Sequence, residues 1–410
     1  MRKFLILTLI LLFSVSLSAQ VRTGNIYGRV VDTEDNPLPG VTVTLSGMYT
    51  APVTAVTLAE GTFRFLSLPP ASDYAVRLEL IGFQTKIEEN IIVTVGGNAN
   101  LTITMEMGAV EEEITVTAIS PVVDTKKTSV GTNVTQDILQ SLPSARDPWV
   151  VLQMAPGVIA DRENVGGTES GMQSTMTARG TSNYNSNVWA MDGVVITDPA
   201  AIGASPSYYD FDAFEEMQIT IGGADVTVQT GGIALNLVTR RGGNRVSLGG
   251  RFYYTDGAKF QGENMTDAFR EEGLQRTNRI RMIQDYGFNL GMPLLRDKAW
   301  FWGSFGVQDI QTDTADGNPF DTMLTNFAAK LNIQIIPQNR FEAFIHAGKK
   351  EMWGRSSSPT LPSGLYQGNA YHFGSPIIKF QDEHMFGDSL FLSAKYSLSL
   401  IHISEPTRPY

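Results

Sequence analysis

Apolar and polar residues alternate with a period of two along much of this chain, the pattern of half-buried β-strands. Val41, Val43 and Leu45 alternate with Thr42 and Thr44, and Tyr74, Val76, Leu78 and Leu80 repeat the pattern. Strands are also predicted over 24–31, from Gly61, over 91–95 and over 101–107. Turn formers separate them: Asp32 to Gly40 (DTEDNPLPG), Leu68-Pro69-Pro70, Gly82-Phe83 and Gly96-Gly97-Asn98. Several short strands at this spacing predict one small β-sandwich over residues 22–107.

The texture changes over residues 120–241. Thr135 is placed to cap a short helix, Gln136 to Leu142, which Pro143 stops. From Asn164 to Asn187 the composition is that of a loop. Val188 to Ile196 reads as two strand pieces around an Asp192-Gly193 turn. Further strands are predicted over 214–220 and 233–240. The Gly pairs at 222–223, 231–232 and 242–243 match neither a P-loop nor a dinucleotide fingerprint, and turns with positive φ explain them better.

Between these two regions lies a short β-prone segment, Glu111 to Ala118, led by three carboxylates and followed by Pro121. Two readings stand for it. It is an ordinary edge strand, or it is a segment that adds as a strand to a sheet edge on another protein.

From Asn244 the alternation becomes two-faced. Val246, Leu248, Gly250, Phe252 and Tyr254 interleave with Arg245, Ser247, Gly249, Arg251 and Tyr253. Later segments pair through short turns at 295–298, 337–339 and near 387–388, and longer polar stretches lie at 256–283, 310–322 and 353–370. Strands of membrane-spanning length with alternating short and long connections predict a transmembrane β-barrel over 242–403. A soluble sandwich is the alternative. The fold class expected is therefore mostly β: an N-terminal sandwich of the transthyretin or immunoglobulin kind, an α+β middle domain, then the first part of a barrel.

Composition narrows the function. A formal net charge of −11 with no basic stripe argues against a nucleic-acid partner. The absence of cysteine excludes a disulfide scaffold, a thiol nucleophile, a Cys-based zinc site and a lipoprotein anchor. Arg2 and Lys3 followed by the apolar run Phe4 to Leu17 and the small residues Ser16, Ser18 and Ala19 read as a Sec signal peptide, residues 1–19. That run is short of the ~20 residues a spanning helix needs.

No catalytic set emerges. The four histidines, His346, His372, His384 and His402, have no partner at metal-ligand spacing. Asp32, Glu34 and Asp35 are weighed as a calcium site and read instead as a solvated turn. No enzyme activity, metal or cofactor is expected.

Two resemblances extend this reading. Gly28-x-Val30, then Pro37-Leu38-Pro39-Gly40-Val41-Thr42-Val43, then Gly61-x-Phe63 resemble the carboxypeptidase regulatory-like domain, a transthyretin-like module akin to starch-binding domains. Leu142-Pro143-x-x-Arg146-Asp147, Arg179-Gly180, Asp192-Gly193 and the strands at 214–218 and 234–240 fall in the order found in TonB-dependent plug domains. Ala145-Arg146-Asp147-Pro148-Trp149 and Tyr208-Tyr209-Asp210-Phe211-Asp212 resemble the Oar-like subgroup, and Gly222 to Gly231 replaces the family's usual Gly-Pro element as it does there.

The resemblance implies a plug at 120–241 inside an outer-membrane barrel, with residues 111–118 as a TonB box. Glu112, Glu113, Ile114, Thr115, Val116, Thr117 and Ala118 would then bind TonB, which draws on an inner-membrane energising complex. Arg179, Gly180, Asp192 and Gly193 would be structural in the plug, and Arg179 is expected either to brace it against a barrel carboxylate or to lie at the surface. The substrate would be an oligosaccharide, peptide or siderophore taken up from outside, with lipid around the barrel and the N-terminal sandwich in the periplasm. A passive surface-binding or adhesion protein, using the sandwich for glycans, is the alternative. The chain supplies roughly seven barrel strands where a plugged transporter uses about 22. It therefore reads as C-terminally truncated, with 404–410 a tail of doubtful origin, since Pro409 cannot donate to a barrel ladder.

Overall fold

The computed structural model describes residues 23–108, 113–117, 130–141, 144–160, 164, 166–168, 170–172, 176–178, 186–197, 208–223, 228, 231–262, 265–273, 276–315, 317–355, 365–369, 376–386 and 390–399. The expectations for the signal peptide and the tail lie outside these residues.

The alternating segments at the N-terminus form β1 (Gly24–Val31), β2 (Thr42–Gly47), β3 (Thr50–Val56), β4 (Thr62–Leu68), β5 (Ala71–Glu79), β6 (Thr85–Val93) and β7 (Asn98–Thr104). They make two sheets. One has the order β4-β1-β7, with β1 antiparallel to β4 and parallel to β7. The other has the order β3-β2-β5-β6, extended by β8 (Glu113–Thr117). One core fills the space between them, built on Ile26, Val43, Leu45, Phe63, Tyr74 and Leu78. The buried Tyr74 hydroxyl keeps a partner by donating to the carbonyl of Pro69 at 2.9 Å. Gly28 leaves the room that the Phe63 ring takes, since a Cβ there would lie 2.0 Å from it.

The Asp32 turn serves itself. Its carboxylate accepts from the backbone N–H groups of Glu34 and Asn36 and from the Asn36 amide. These bonds hold its pKa below the usual carboxylate range. Among the described residues no group of three or more His, Cys, Asp or Glu is placed to hold a metal ion.

The middle region forms a five-stranded sheet from β9 (Val130–Thr135), β12 (Val188–Met191), β13 (Val194–Val195), β14 (Phe214–Gly222) and β15 (Ala234–Thr239), in the order β13-β12-β15-β14-β9. A separate pair joins β10 (Val158–Ala160) to β11 (Met176–Ala178). Helix α1 spans Gln136–Ser141 and α2 spans Pro148–Leu152. Asp147 starts α2 by accepting from Trp149 N–H, and Pro148 suits the first turn because its missing N–H would have no helical partner. The helix seats Trp149 edge-on against Trp189 of the sheet.

The C-terminal sheet consists of β16 (Ser247–Asp256), β17 (Arg279–Leu295), β18 (Ala299–Asp313), β19 (Pro319–Ile333), β20 (Asn339–Arg355), β21 (Leu365–Asn369), β22 (Ile377–Phe386) and β23 (Leu390–Ser399). It is an antiparallel meander, with β21 a short addition on β20. Two short helices, α3 (Gly257–Phe260) and α4 (Asp267–Glu271), sit in the first long connection. Phe252, Phe288, Phe327, Phe380 and Tyr396 are exposed on one face, while Lys330, Lys350 and Lys379 are buried on the other. The first is the lipid-facing set of a barrel wall and the second faces the plug sheet. Among the described residues no helix is long and apolar enough to cross a membrane.

Two sequence expectations change here. The polar stretch 310–322 is not a long loop, because β18 and β19 stay paired as far as Asp313 opposite Pro319. The stretch 256–283 likewise gives up its end to β17, which begins at Arg279. On β18 the outward apolar phase gives way to Asp309, Gln311 and Asp313, but the hydrogen-bond ladder with its neighbours continues through them.

Candidate functional site

The site is the seam between the plug sheet and the inward face of the wall. Asp192 and Gly193 form the turn between β12 and β13, with φ of 47° and 69°. Positive φ at both central positions is what a tight hairpin of this hand requires, and Asp-Gly meets it at low cost. The turn points into the wall. The fully buried Asp192 carboxylate accepts from Lys330 of β19 at 2.9 Å and from the backbone and hydroxyl of Thr239. Lys330 also donates to the Thr239 carbonyl at 2.8 Å. Lys395 of β23 donates to the Gly193 carbonyl at 2.7 Å, and Lys379 of β22 reaches the Asp192 carbonyl while pairing with Glu342. Three lysines from three wall strands thus hold one plug turn. Ammonium groups removed from water need this saturation, since an unpaired charge here would cost several kcal/mol.

A second cluster lies further along the seam. Arg146 of the plug pairs with Asp285 of β17 and with Asp212, both at 2.8 Å. Arg251 of β16 pairs with Asp210 at 2.7 Å, Asp285 at 2.8 Å and Asp212 at 3.2 Å. The Arg146 guanidinium also stacks over the Tyr253 ring at 4.5 Å. Two cations and three carboxylates share this space. Burial pushes the Asp210 carboxyl above the usual range, against the pull of Arg251. Lys350 closes a third contact, donating to the Gly171 carbonyl and to the Tyr208 hydroxyl.

The sandwich is fastened to the same assembly. Val95 N–H donates to both oxygens of Glu216 at 3.2 Å, and the Val95 carbonyl accepts from Asn133 and Gln218. On the wall side, Gln334 accepts from Thr50 and Ala51, and Arg340 donates to the Ser67 carbonyl.

Of the residues singled out from sequence, Asp192 and Gly193 stand at the centre of this seam. Glu113 to Thr117 form β8, which lies parallel to β6, with Thr85 opposite Glu113 and Glu89 opposite Thr117. Glu112, Ala118, Arg179 and Gly180 lie outside the described residues. Sequence reasoning missed Arg251, Asp285, Lys330, Lys379 and Lys395 as partners. The brace sought for Arg179 is made, among the described residues, by Arg146. Its signal was present in the pairing of the Ala145 to Trp149 and Tyr208 to Asp212 motifs, which the fold joins as Arg146 to Asp212. For the wall residues the signal was a charge at the inward phase of a strand whose outward phase is apolar.

Residues 25–106 match the carboxypeptidase regulatory-like domain family, and residues 124–234 match the TonB-dependent receptor plug domain family. The chain is 29% identical over 304 residues to the TonB-dependent transporter Oar of Myxococcus xanthus, which covers 70% of this chain and 27% of Oar. It is similar to the siderophore receptor PirA of Acinetobacter baumannii, with 15% identity and a TM-score of 0.47 over 65% of this chain and 39% of PirA. The outer membrane transporter YddB of Escherichia coli gives 13% identity and a TM-score of 0.48 over 63% of this chain and 37% of YddB. The chain thus spans well under half the length of each of these relatives. It carries a carboxypeptidase regulatory-like domain followed by a TonB-dependent receptor plug domain, and it is similar to TonB-dependent transporters.

Proposed function

We propose that this protein takes up a substrate across the outer membrane, with the plug sheet as its gate and residues 112–118 as the strand that TonB engages. On this reading residues 1–19 direct export and the sandwich lies in the periplasm. The observation that carries the proposal is the Asp192 turn held by Lys330, Lys379 and Lys395. A gate must be held firmly and still be releasable. Ion pairs and hydrogen bonds to a wall can be replaced by water once the turn moves, while the apolar contact that the plug core makes with Trp302, Ala328, Phe344 and Ile377 of the wall is the part whose exposure opposes release. The strand nearest to residues 112–118 in the plug is β9, and it is the edge of the plug sheet. A pull passed along the intervening chain reaches an edge strand, which has a single neighbour, β14, to leave.

The substrate belongs to one of the classes left open by the sequence: a siderophore, an oligosaccharide or a peptide. Uptake assays with each class decide among them. The energy-coupled reading is tested by Val116→Pro, which removes a backbone donor from the strand. The variant is expected to stay in the outer membrane and bind substrate at the surface, but to lose energised uptake. Undiminished uptake would return residues 112–118 to the status of a linker.

A further inference from the structure

Strand β8 is docked. Its residues pair one for one with β6: Glu113 with Thr85, Ile114 with Lys86, Thr115 with Ile87, Val116 with Glu88 and Thr117 with Glu89. The opposite edge of β6 is filled by β5, so β8 occupies the edge that this side of the sandwich would otherwise leave open. An open edge is a template for another strand, and here the chain covers it with its own. The approach is prepared. Gln84 N–H donates to the Glu106 carbonyl, Gly108 N–H to the Gly82 carbonyl, and Phe83 bridges Met107. These contacts bring the chain to the start of β6, and the tether 109–112 separates them from β8. A short tether holds a ligand at millimolar effective concentration, so five backbone pairs suffice for substantial docking.

The docked state also changes where force goes. The sandwich is fastened to the plug at Val95 and to the wall at Thr50 and Ser67. While the β6–β8 ladder holds, a pull on β8 is borne by the sandwich and its fastenings, and it reaches β9 only sideways, through the Val95 clasp on Asn133, and not along the connecting chain. We propose that the β6 edge is an intramolecular competitor of TonB for residues 113–117, so that the sandwich masks the box and only its undocked form is engaged and loaded. This rests on the reading of 112–118 as the TonB-engaging strand. If the docked strand is unavailable, the apparent dissociation constant rises by the reciprocal of the undocked fraction, so a box docked nine-tenths of the time binds about tenfold more weakly.

The absence of cysteine makes the test clean. The double variant Ile87→Cys/Thr115→Cys places two thiols at facing positions of parallel strands, within the reach of a disulfide. Ile92→Cys/Thr115→Cys, out of register along β6, is the control. The whole detergent-solubilised protein is oxidised, checked for the cross-link on a non-reducing gel, and offered to the periplasmic domain of TonB. The expected result is a cross-link in the first pair and not in the second, TonB capture lowered at least about tenfold on oxidation, and full recovery with reductant. Failure of the first pair to cross-link overturns the docking itself. A cross-linked protein that captures TonB as well as the reduced one overturns the competition, because TonB would then be adding to the outer edge of β8, and leaves the proposed function standing. No capture by the reduced protein or the wild type removes the TonB reading, and this inference with it.

Discussion

Asp192 and Lys330 form an ion pair in which both side chains are wholly removed from solvent, although one belongs to the plug and the other to the barrel wall. Each is also saturated by Thr239, the carboxylate through its hydroxyl and N–H and the ammonium through its carbonyl. Removing one member of such a pair strands the other as a buried charge, at a cost of about 3–5 kcal/mol. Lys330→Met is therefore expected to loosen the seated plug severely, and Asp192→Asn comparably. The double variant should lose less than the sum, because it leaves no orphan charge. Protease accessibility of the plug and the thermal unfolding midpoint measure this. Single variants that unfold within about 0.5 kcal/mol of wild type, as ordinary surface changes do, would show that the pair does not hold the seam.

One carboxyl of the second cluster, that of Asp210, makes seating depend on pH. Burial raises the Asp210 carboxyl above the usual range, and it does the same to Glu215, which lies outside that cluster beside Arg241. A carboxyl whose pKa is raised in the seated form binds its proton more tightly there than in the unfolded chain. Its stabilisation is full below the ordinary carboxylate pKa of about 4 and is lost as pH rises through the raised value. Plug stability is thus expected to contain a component that declines as pH climbs from about 4. Asp210→Asn should flatten the part due to that residue. An unchanged slope in Asp210→Asn would assign the dependence elsewhere.

Arg146 tests whether the seam needs geometry or only charge. Its guanidinium meets Asp285 through Nε and Asp212 through a terminal nitrogen, and it lies over Tyr253. A lysine offers one compact charge and no flat face. Arg146→Lys is expected to recover little of what Arg146→Ala loses, about 1.5–3 kcal/mol for a hydrogen bond to a charged group. Full rescue by lysine, read from the same unfolding midpoint, would reduce the residue to a point charge.

How much of this was legible in the sequence follows from which environment each residue answers to. Lipid imposes a strict rule on one face of a strand, so Val246, Leu248 and Phe252 announced β16 by alternation alone, and all three are exposed on the outer face. The inner face obeys no such rule. Lys330 reads as any lumen-facing polar residue until the fold sets it against Asp192, 138 positions earlier. Asp192-Gly193 was recognisable as a turn because positive φ is a local demand. Its role as the latch was not, because that role is written in residues of β19, β22 and β23. The strand propensity of residues 113–117 was equally local, while their partner β6 is set by the path of the chain through Gly108.

The last prediction concerns Val95, where sandwich and plug meet through one peptide. Its N–H is accepted by the Glu216 carboxylate and its carbonyl is served by Asn133 and Gln218, so a single residue of the turn after β6 is held on both sides by β9 and β14. Glu216 is 2% exposed, and a carboxylate kept that dry is worth more as an acceptor than a neutral group would be. The sandwich core and the plug core are separate clusters. Breaking the clasp should therefore uncouple the two domains without unfolding either. Glu216→Ala combined with Asn133→Ala is expected to leave the secondary structure and the sandwich's unfolding midpoint unchanged. The connection over 118–129 should meanwhile become several times more sensitive to a protease. The same variant separates the two ways force can travel. With the clasp gone, the sandwich can follow β8 when it is pulled, and β9 is loaded through residues 118–129 even while β8 remains docked on β6. If the protease pattern does not change, the hold on the sandwich lies with Gln334 and Arg340 of the wall instead, and their replacement by alanine becomes the variant that frees it.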